Sequence, residues 1–200
     1  MKNIVLFASG SGSNVENIVQ YFRDKPHIRI VAVLTNRSDA KVLDRCNRLH
    51  INALYFNRNA FYETDCVLGI LESLRPDLII LAGFLWRIPE NLIRKYPNQI
   101  VNIHPALLPK YGGKGMYGMR VHEAVKNNNE TETGITVHFV NEHYDEGVII
   151  HQAKTPLVPE DTPDSIAEKV HKLEYEHFPK VIEDLLSANG EYPKDISGPA

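Results

Sequence analysis

Apolar residues along this chain come either in short unbroken runs or at helical spacing, and the two patterns alternate. Ile4–Ala8 is a continuous run with β-branched residues, the pattern of a strand covered on both faces. After a Gly/Ser turn, Val15, Ile18, Val19 and Phe22 recur on one face of a predicted helix. Ile28–Leu34 predicts a second buried strand, Val42–Leu49 a helix and Ala53–Phe56 a short strand. One helix is expected over Tyr62–Leu74, stopped by Pro76, and Asp77–Gly83 (DLIILAG) reads as a fully buried strand. Pro89–Tyr96 predicts a short helix with proline in its first turn, and Gln99–Ile103 a further strand. A Pro/Gly-rich loop covers Pro105–Gly118, and a helix is expected over Met119–Asn127. Ile135–Val140 and Val148–Ala153 predict two more strands. Thr162-Pro163 opens a long amphipathic helix through Leu186, with Thr162 or Asp161 as its cap.

Strands alternating with helices predict an α/β fold with a doubly wound, mainly parallel, Rossmann-like sheet. The last two strands are joined only by residues 141–147, too few for a parallel crossover, so that pair is expected to be antiparallel and the sheet mixed. No repeat or linker divides the chain. Residues 1–187 are expected to form one catalytic domain, and residues 188–200, rich in Gly, Pro and charge, a flexible tail.

Composition narrows the class of protein. A chain of 200 residues can bury about 70% of its unfolded surface, enough to fold without disulfides or metal. The net charge of −3 is mixed along the chain, so no concentrated positive field invites nucleic acid or an anionic membrane. Cys46 and Cys66 lack paired spacing, which fits a reducing compartment. The apolar run near Met1 is too short for a signal segment or a span, and a cytoplasmic protein is expected.

Ser9-Gly10-Ser11-Gly12-Ser13-Asn14 stands between a buried strand and a helix. Glycines let backbone approach a ligand closely, and a helix start offers N–H groups and a positive dipole end. The turn therefore reads as a phosphate cradle, with a plain strand-to-helix turn capped by Ser or Asn as the alternative. A dinucleotide fingerprint would need glycine where Val15 stands, and no Gly-Lys-Ser/Thr completes a P-loop. A mononucleotide or sugar-phosphate site remains.

A second cluster lies near the carboxyl ends of later strands, where open α/β sheets bind ligands. Asn102 and His104 are two apart on an extended segment and point the same way. An amide donor beside an imidazole suits a reaction that builds charge on a carbonyl oxygen while a proton moves. A polar strand end with a structural histidine is the competing reading. Asp145, in the turn before the last strand, has the chemistry to orient His104 or hold it protonated, and it equally suits an ordinary Asp-rich turn. No serine or cysteine stands out as a nucleophile, which leaves that part to a substrate. Lys126 occupies the second-ligand position of His122-Glu123, so no metal site is expected, and His138 reads as a packed structural residue. Gly112–Gly115 suits an anion loop and a mobile lid equally well.

Taken together, Gly10–Asn14, Leu81–Phe84, Asn102–Tyr111, Gly134–Val140 and Asp145–Gln152 resemble the folate-dependent phosphoribosylglycinamide formyltransferase family, in order and over nearly the whole chain to about Leu186. The resemblance implies transfer of a formyl group from 10-formyltetrahydrofolate to the glycinamide amine of a ribose phosphate in purine biosynthesis, without a metal. It also implies that Asn102 hydrogen-bonds the formyl oxygen, that His104 is the general acid, and that Asp145 pairs with His104 and positions a proton-relaying water. Gly12, Ser13, Asn14 and Val15 match the family's phosphate-binding segment and Glu174 a ribose-contacting glutamate. Leu85, Trp86, Arg87 and Ile88, with Asn141, Glu142, His143, Tyr144 and Asp145, match segments that wrap the pterin largely through backbone groups. The partners implied are glycinamide ribonucleotide and the formyl-folate, with the protein a monomer or homodimer.

Several departures stand out: Trp86-Arg87 replaces the more usual Arg-Ile, and the segment around Phe61–Leu74 is shorter, with no obvious counterpart for the arginine that contacts the folate tail. The loop Gly112–Gly118 is also longer than in many members. Methionyl-tRNA formyltransferases and formyltetrahydrofolate deformylases share the Asn/His/Asp set, but the domains they add are not expected here. A non-enzymatic nucleotide-binding module is the rival from another class, and it predicts that Asn102 and His104 are dispensable.

Overall fold

A computed structural model describes residues 1–188; residues 189–200, which make up nearly all of the expected tail, lie outside the described residues. Among the described residues seven strands follow the order β3-β2-β1-β4-β5-β6-β7. The chain forms two compact units, Met1–Asn102 and a second beginning at Ile103. Among the described residues no helix is long and apolar enough to cross a membrane.

The first unit holds β1 (Lys2–Phe7), α1 (Ser13–Phe22), β2 (Ile28–Thr35), α2 (Val42–Leu49), β3 (Ala53–Tyr55), α3 (Arg58–Tyr62), α4 (Cys66–Leu74), β4 (Leu78–Leu81), α5 (Glu90–Lys95) and most of β5 (Ile100–His104). Every strand pair here is parallel: β1 with β2 and β4, β2 with β3, and β4 with β5. Ile4–Phe7 and Leu78–Leu81 are buried throughout, because parallel strands take helices on both faces. The edge strand β3 is three residues long and exposed, which limits unwanted pairing. Neighbouring β1 and β4 lead their chains to opposite sides of the order, so their carboxyl ends form a topological switch point.

The single helix expected over Tyr62–Leu74 is two helices, α3 and α4, broken at residues 63–65. Asn57 caps α3 by accepting from the Ala60 N–H at 2.9 Å, and the Thr64 hydroxyl accepts from the Cys66 N–H. Such local side-chain bonds compete with the helix ladder and move the start upstream. The break lets α3 bury Phe61 (2% exposed) among Phe7, Phe56 and Phe84.

In the second unit, α6 (Met119–Asn127) precedes β6 (Glu132–Phe139), β7 (Ile149–Pro156) and α7 (Pro163–Ser187). β6 and β7 are antiparallel, as their short connection predicts. Thr162 caps α7 in a reciprocal box with Ser165, and Pro163 starts the helix. Asp161 instead accepts from the Val158 N–H and pairs with Lys169. Ile166, Val170, Glu174 and Phe178 share the buried face of α7, which packs on α6, β6 and β7.

Candidate active site

In the first unit the Gly/Ser turn leaves β1 at the switch point. Ser9 is buried and structural: its N–H donates to the Gly83 carbonyl, and its hydroxyl donates to Asn36 Oδ1 at 2.7 Å. The Ser9 hydroxyl oxygen in turn accepts from the Leu85 N–H at 2.9 Å, tying the turn to the segment after β4. Gly12 is the residue before α1, in the left-handed region at φ 74°, and no side chain caps the helix. Glycine, rather than Ser or Asn, occupies the position before α1. A Cβ on Gly12 would run into the side chain of Val42, so only glycine lets the turn lie this close to α2. The first-turn N–H groups of Ser13, Asn14 and Val15 precede the first residue able to bond back within the helix, the geometry of an anion seat. Arg45 donates to the Ser11 carbonyl and, with Arg48, pairs with Glu16, bracing the turn from α2.

The segment Leu85–Ile88 leaves β4 beside that turn. Ile88 is buried, Leu85 and Arg87 are exposed, and Trp86 packs in an aromatic group with Phe56, Phe61, Tyr62 and Phe84. Tyr62 donates its hydroxyl to the Arg87 carbonyl at 2.9 Å, and the Arg58 guanidinium lies over the Tyr62 ring. The Trp86 ring and the Tyr62 hydroxyl thus hold the backbone of this segment.

In the second unit His104, at the end of β5, is 3% exposed. Its Nδ1 lies 3.6 Å from Asp145 Oδ2, and its Nε2 is 2.7 Å from the Tyr111 carbonyl. His138 Nε2 lies 3.6 Å from the other Asp145 oxygen, while its Nδ1 donates to the Phe139 carbonyl. The Gly113 N–H donates to Asp145 Oδ2 at 2.9 Å. Asp145 itself sits at φ 58°, and Gly147 is required because a Cβ there would strike the Phe139 carbonyl that holds His138. Asn102 stands two residues before His104 on β5, half-buried between fully buried neighbours.

Burial lowers the His104 imidazole below its ordinary value, with the Asp145 charge pulling it back up only in part. Burial raises Asp145, but His138, the His104 charge and the Gly113 N–H outweigh it and leave the carboxyl below its usual range. Near neutral pH the pair is therefore an imidazole beside a carboxylate.

Glu174 is buried on α7, and Asn141–Tyr144 form an exposed turn in which the His143 N–H donates to Asn141 Oδ1. Three features of the site cannot be read from spacing: the Tyr111 carbonyl, the Ser9 anchor and the contact of His138 with Asp145. His138 alone carried a signal, a polar residue inside an apolar strand pattern. His122, on α6, is 2% exposed with no hydrogen-bond partner for Nδ1 among the described residues. Among those residues no group of three or more His, Cys, Asp or Glu is placed to hold a metal ion.

Burial, helped by His171 and His104, pushes His122 down to about 4. The folded form stays neutral while the unfolded chain takes up a proton below about 6.5, so stability falls as pH drops from 6.5 towards 4. The loss from His122 reaches about 3 kcal/mol, at 1.36 kcal/mol per unit. Urea unfolding of the His122→Leu variant between pH 7 and 4 is expected to show a shallower decline than the parent; an unchanged slope would exclude this source.

A sequence model of the formyl transferase family matches residues 2–182. The chain is 39% identical to a phosphoribosylglycinamide formyltransferase of Haemophilus influenzae, over 91% of this chain and 86% of that one. It is 36% identical to the Bacillus subtilis protein of the same name, over 97% of this chain and all of that one. The crystal structure of glycinamide ribonucleotide transformylase 1 from Symbiobacterium toebii superposes with a TM-score of 0.86 at 30% identity, over 98% of this chain and 91% of that one. By fold and by likeness over its length, the chain belongs to the formyl transferase family, as a one-carbon transferase of the phosphoribosylglycinamide formyltransferase type.

Proposed function

We propose that the chain transfers the formyl group of 10-formyltetrahydrofolate to the amine of glycinamide ribonucleotide by direct attack, within a cytoplasmic catalytic module spanning residues 1–187. The observation that carries this reading is the buried His104–Asp145 pair at the end of a strand that presents Asn102 two residues earlier. An amine, an amide donor, an imidazole and a carboxylate are what acyl transfer to nitrogen needs when no protein nucleophile is present.

In this mechanism the substrate amine attacks the formyl carbon, and the carbonyl oxygen takes up negative charge that the Asn102 amide and His104 stabilise. The attacking nitrogen sheds a proton through a water held by Asp145. Protonated His104 supplies a proton to the departing folate nitrogen as the old C–N bond breaks, giving tetrahydrofolate and the formylated ribonucleotide. A lowered imidazole value makes His104 readier to give up that proton, and the Asp145 charge keeps the protonated form within reach. Gly12, Ser13, Asn14 and Val15 hold the phosphate at the start of α1, and Glu174 contacts the ribose. Leu85–Ile88 and Asn141–Asp145 hold the pterin through backbone groups.

Absorbance detection of the folate product, with glycinamide ribonucleotide and 10-formyltetrahydrofolate, tests the reading directly. Turnover by the purified protein is expected; turnover on methionyl-tRNA instead would overturn the choice of acceptor. Gly12→Ala combines a left-handed backbone with a clash against Val42, and is expected to raise KM for the ribonucleotide about tenfold or more while kcat changes little. An unchanged KM would move the phosphate elsewhere.

A further inference from the structure

The buried imidazole of His104 meets the protein through two nitrogens, and one of them is committed. The Tyr111 carbonyl at 2.7 Å only accepts, so Nε2 carries the hydrogen and Nδ1, facing Asp145, is the nitrogen that gains and loses a proton. Tyr111 offers that carbonyl from a left-handed backbone, φ 59°, which a side-chain-bearing residue keeps only when something else holds it.

What holds it is polar. The Tyr111 phenol donates to Glu130 Oε1 at 2.8 Å and accepts from Asn128 Nδ2 at 2.8 Å. Lys110 reaches the same Glu130 oxygen at 3.0 Å. Asn128 and Glu130 both belong to the short turn between α6 and β6. A cavity of about 280 Å³ lined by Tyr111, Glu130, Lys110 and Leu108 lies alongside, so close packing does not by itself fix the ring. Two residues on, the Gly113 N–H holds Asp145. Residues 111–113 thus set both members of the pair.

We propose that Glu130 and Asn128, by clamping the Tyr111 phenol, are positioning residues that keep the Tyr111 carbonyl on His104 Nε2 and so decide which imidazole nitrogen moves the proton. The part about proton transfer rests on the function proposed above; the part about the imidazole does not. The groups that face His104 are Asp145 from the β6–β7 turn, His138 from β6, His122 from α6 and the Tyr111 carbonyl itself.

The test uses the whole protein with nitrogen-15 in its histidine rings, His104 being identified by the spectrum lost in H104N. Neutral His104 is expected as the Nε2–H form in the parent, and as a mixture of both forms in Tyr111→Phe and Glu130→Ala. In the same variants kcat is expected to fall about tenfold with KM for the ribonucleotide nearly unchanged, and the alkaline limb of the pH profile to move. Glu130→Gln, whose amide oxygen still accepts from the phenol, is expected to recover most of the rate. An Nδ1–H form in the parent would overturn the proposal. So would variants that lower the melting temperature while leaving both the imidazole form and the pH profile as they were. If the imidazole form shifts as expected but no protein transfers formyl groups, the clamp stands and the proposed function fails.

Discussion

Replacing His104 with asparagine is expected to lower kcat for formyl transfer by about 10²–10⁴-fold, the range a positioned general acid supplies. Each factor of ten corresponds to about 1.4 kcal/mol of transition-state stabilisation. Asparagine keeps a polar amide where the imidazole begins and removes the titrating group, while its reach stops short of the Tyr111 carbonyl that Nε2 holds. The Gly/Ser turn is held within the first unit by Asn36, Gly83 and Leu85. KM for the ribonucleotide is therefore expected to stay within about threefold, the signature of an interaction made only in the transition state. Steady-state kinetics separates the two quantities. A kcat within about threefold of the parent would remove His104 from the chemistry and favour a nucleotide-binding module.

Asp145→Asn carries the second large effect, and its sign follows from the charges. The Asp145 carboxylate raises His104 against the lowering effect of burial. Without that charge the imidazole drops further, and the protonated form on which the proposed mechanism relies is lost at lower pH. The alkaline limb of kcat is expected to move towards acid, and kcat near pH 8 to fall about 10²-fold or more. At 3.6 Å from each histidine the contact is electrostatic, so an isosteric amide cannot replace it, even though its oxygen can still accept from the Gly113 N–H. An unshifted alkaline limb would mean that Asp145 acts only as a structural partner of Gly113.

The same geometry shows why His138 is more than a packed residue. Its ring joins the far side of Asp145, and the carbonyl that orients it belongs to Phe139, next to the glycine that the turn requires. The three residues reach one another only because β6 and its turn bring positions 138 and 145 back to position 104.

Much of this protein is written in local pattern. Apolar runs gave the buried strands, helical spacing gave α1, α2, α6 and α7, and a connection too short for a crossover made β6 and β7 antiparallel. The glycine before α1 and the pair Asn102 and His104 on one extended segment are likewise local, since a turn and a period of two need only neighbouring residues. The break between α3 and α4 escaped because a side-chain bond at Thr64 overrode an otherwise helical spacing. Tertiary structure alone decided what lies far apart in sequence. It set the strand order that makes a switch point of β1 and β4, the hydroxyl of Ser9 on Leu85, the carboxylate of Asp145 beside His104, and the clamp from Glu130 to Tyr111. Periodicity reports which face of an element is buried, whereas these contacts depend on where the closed chain carries each face, and only folding supplies that.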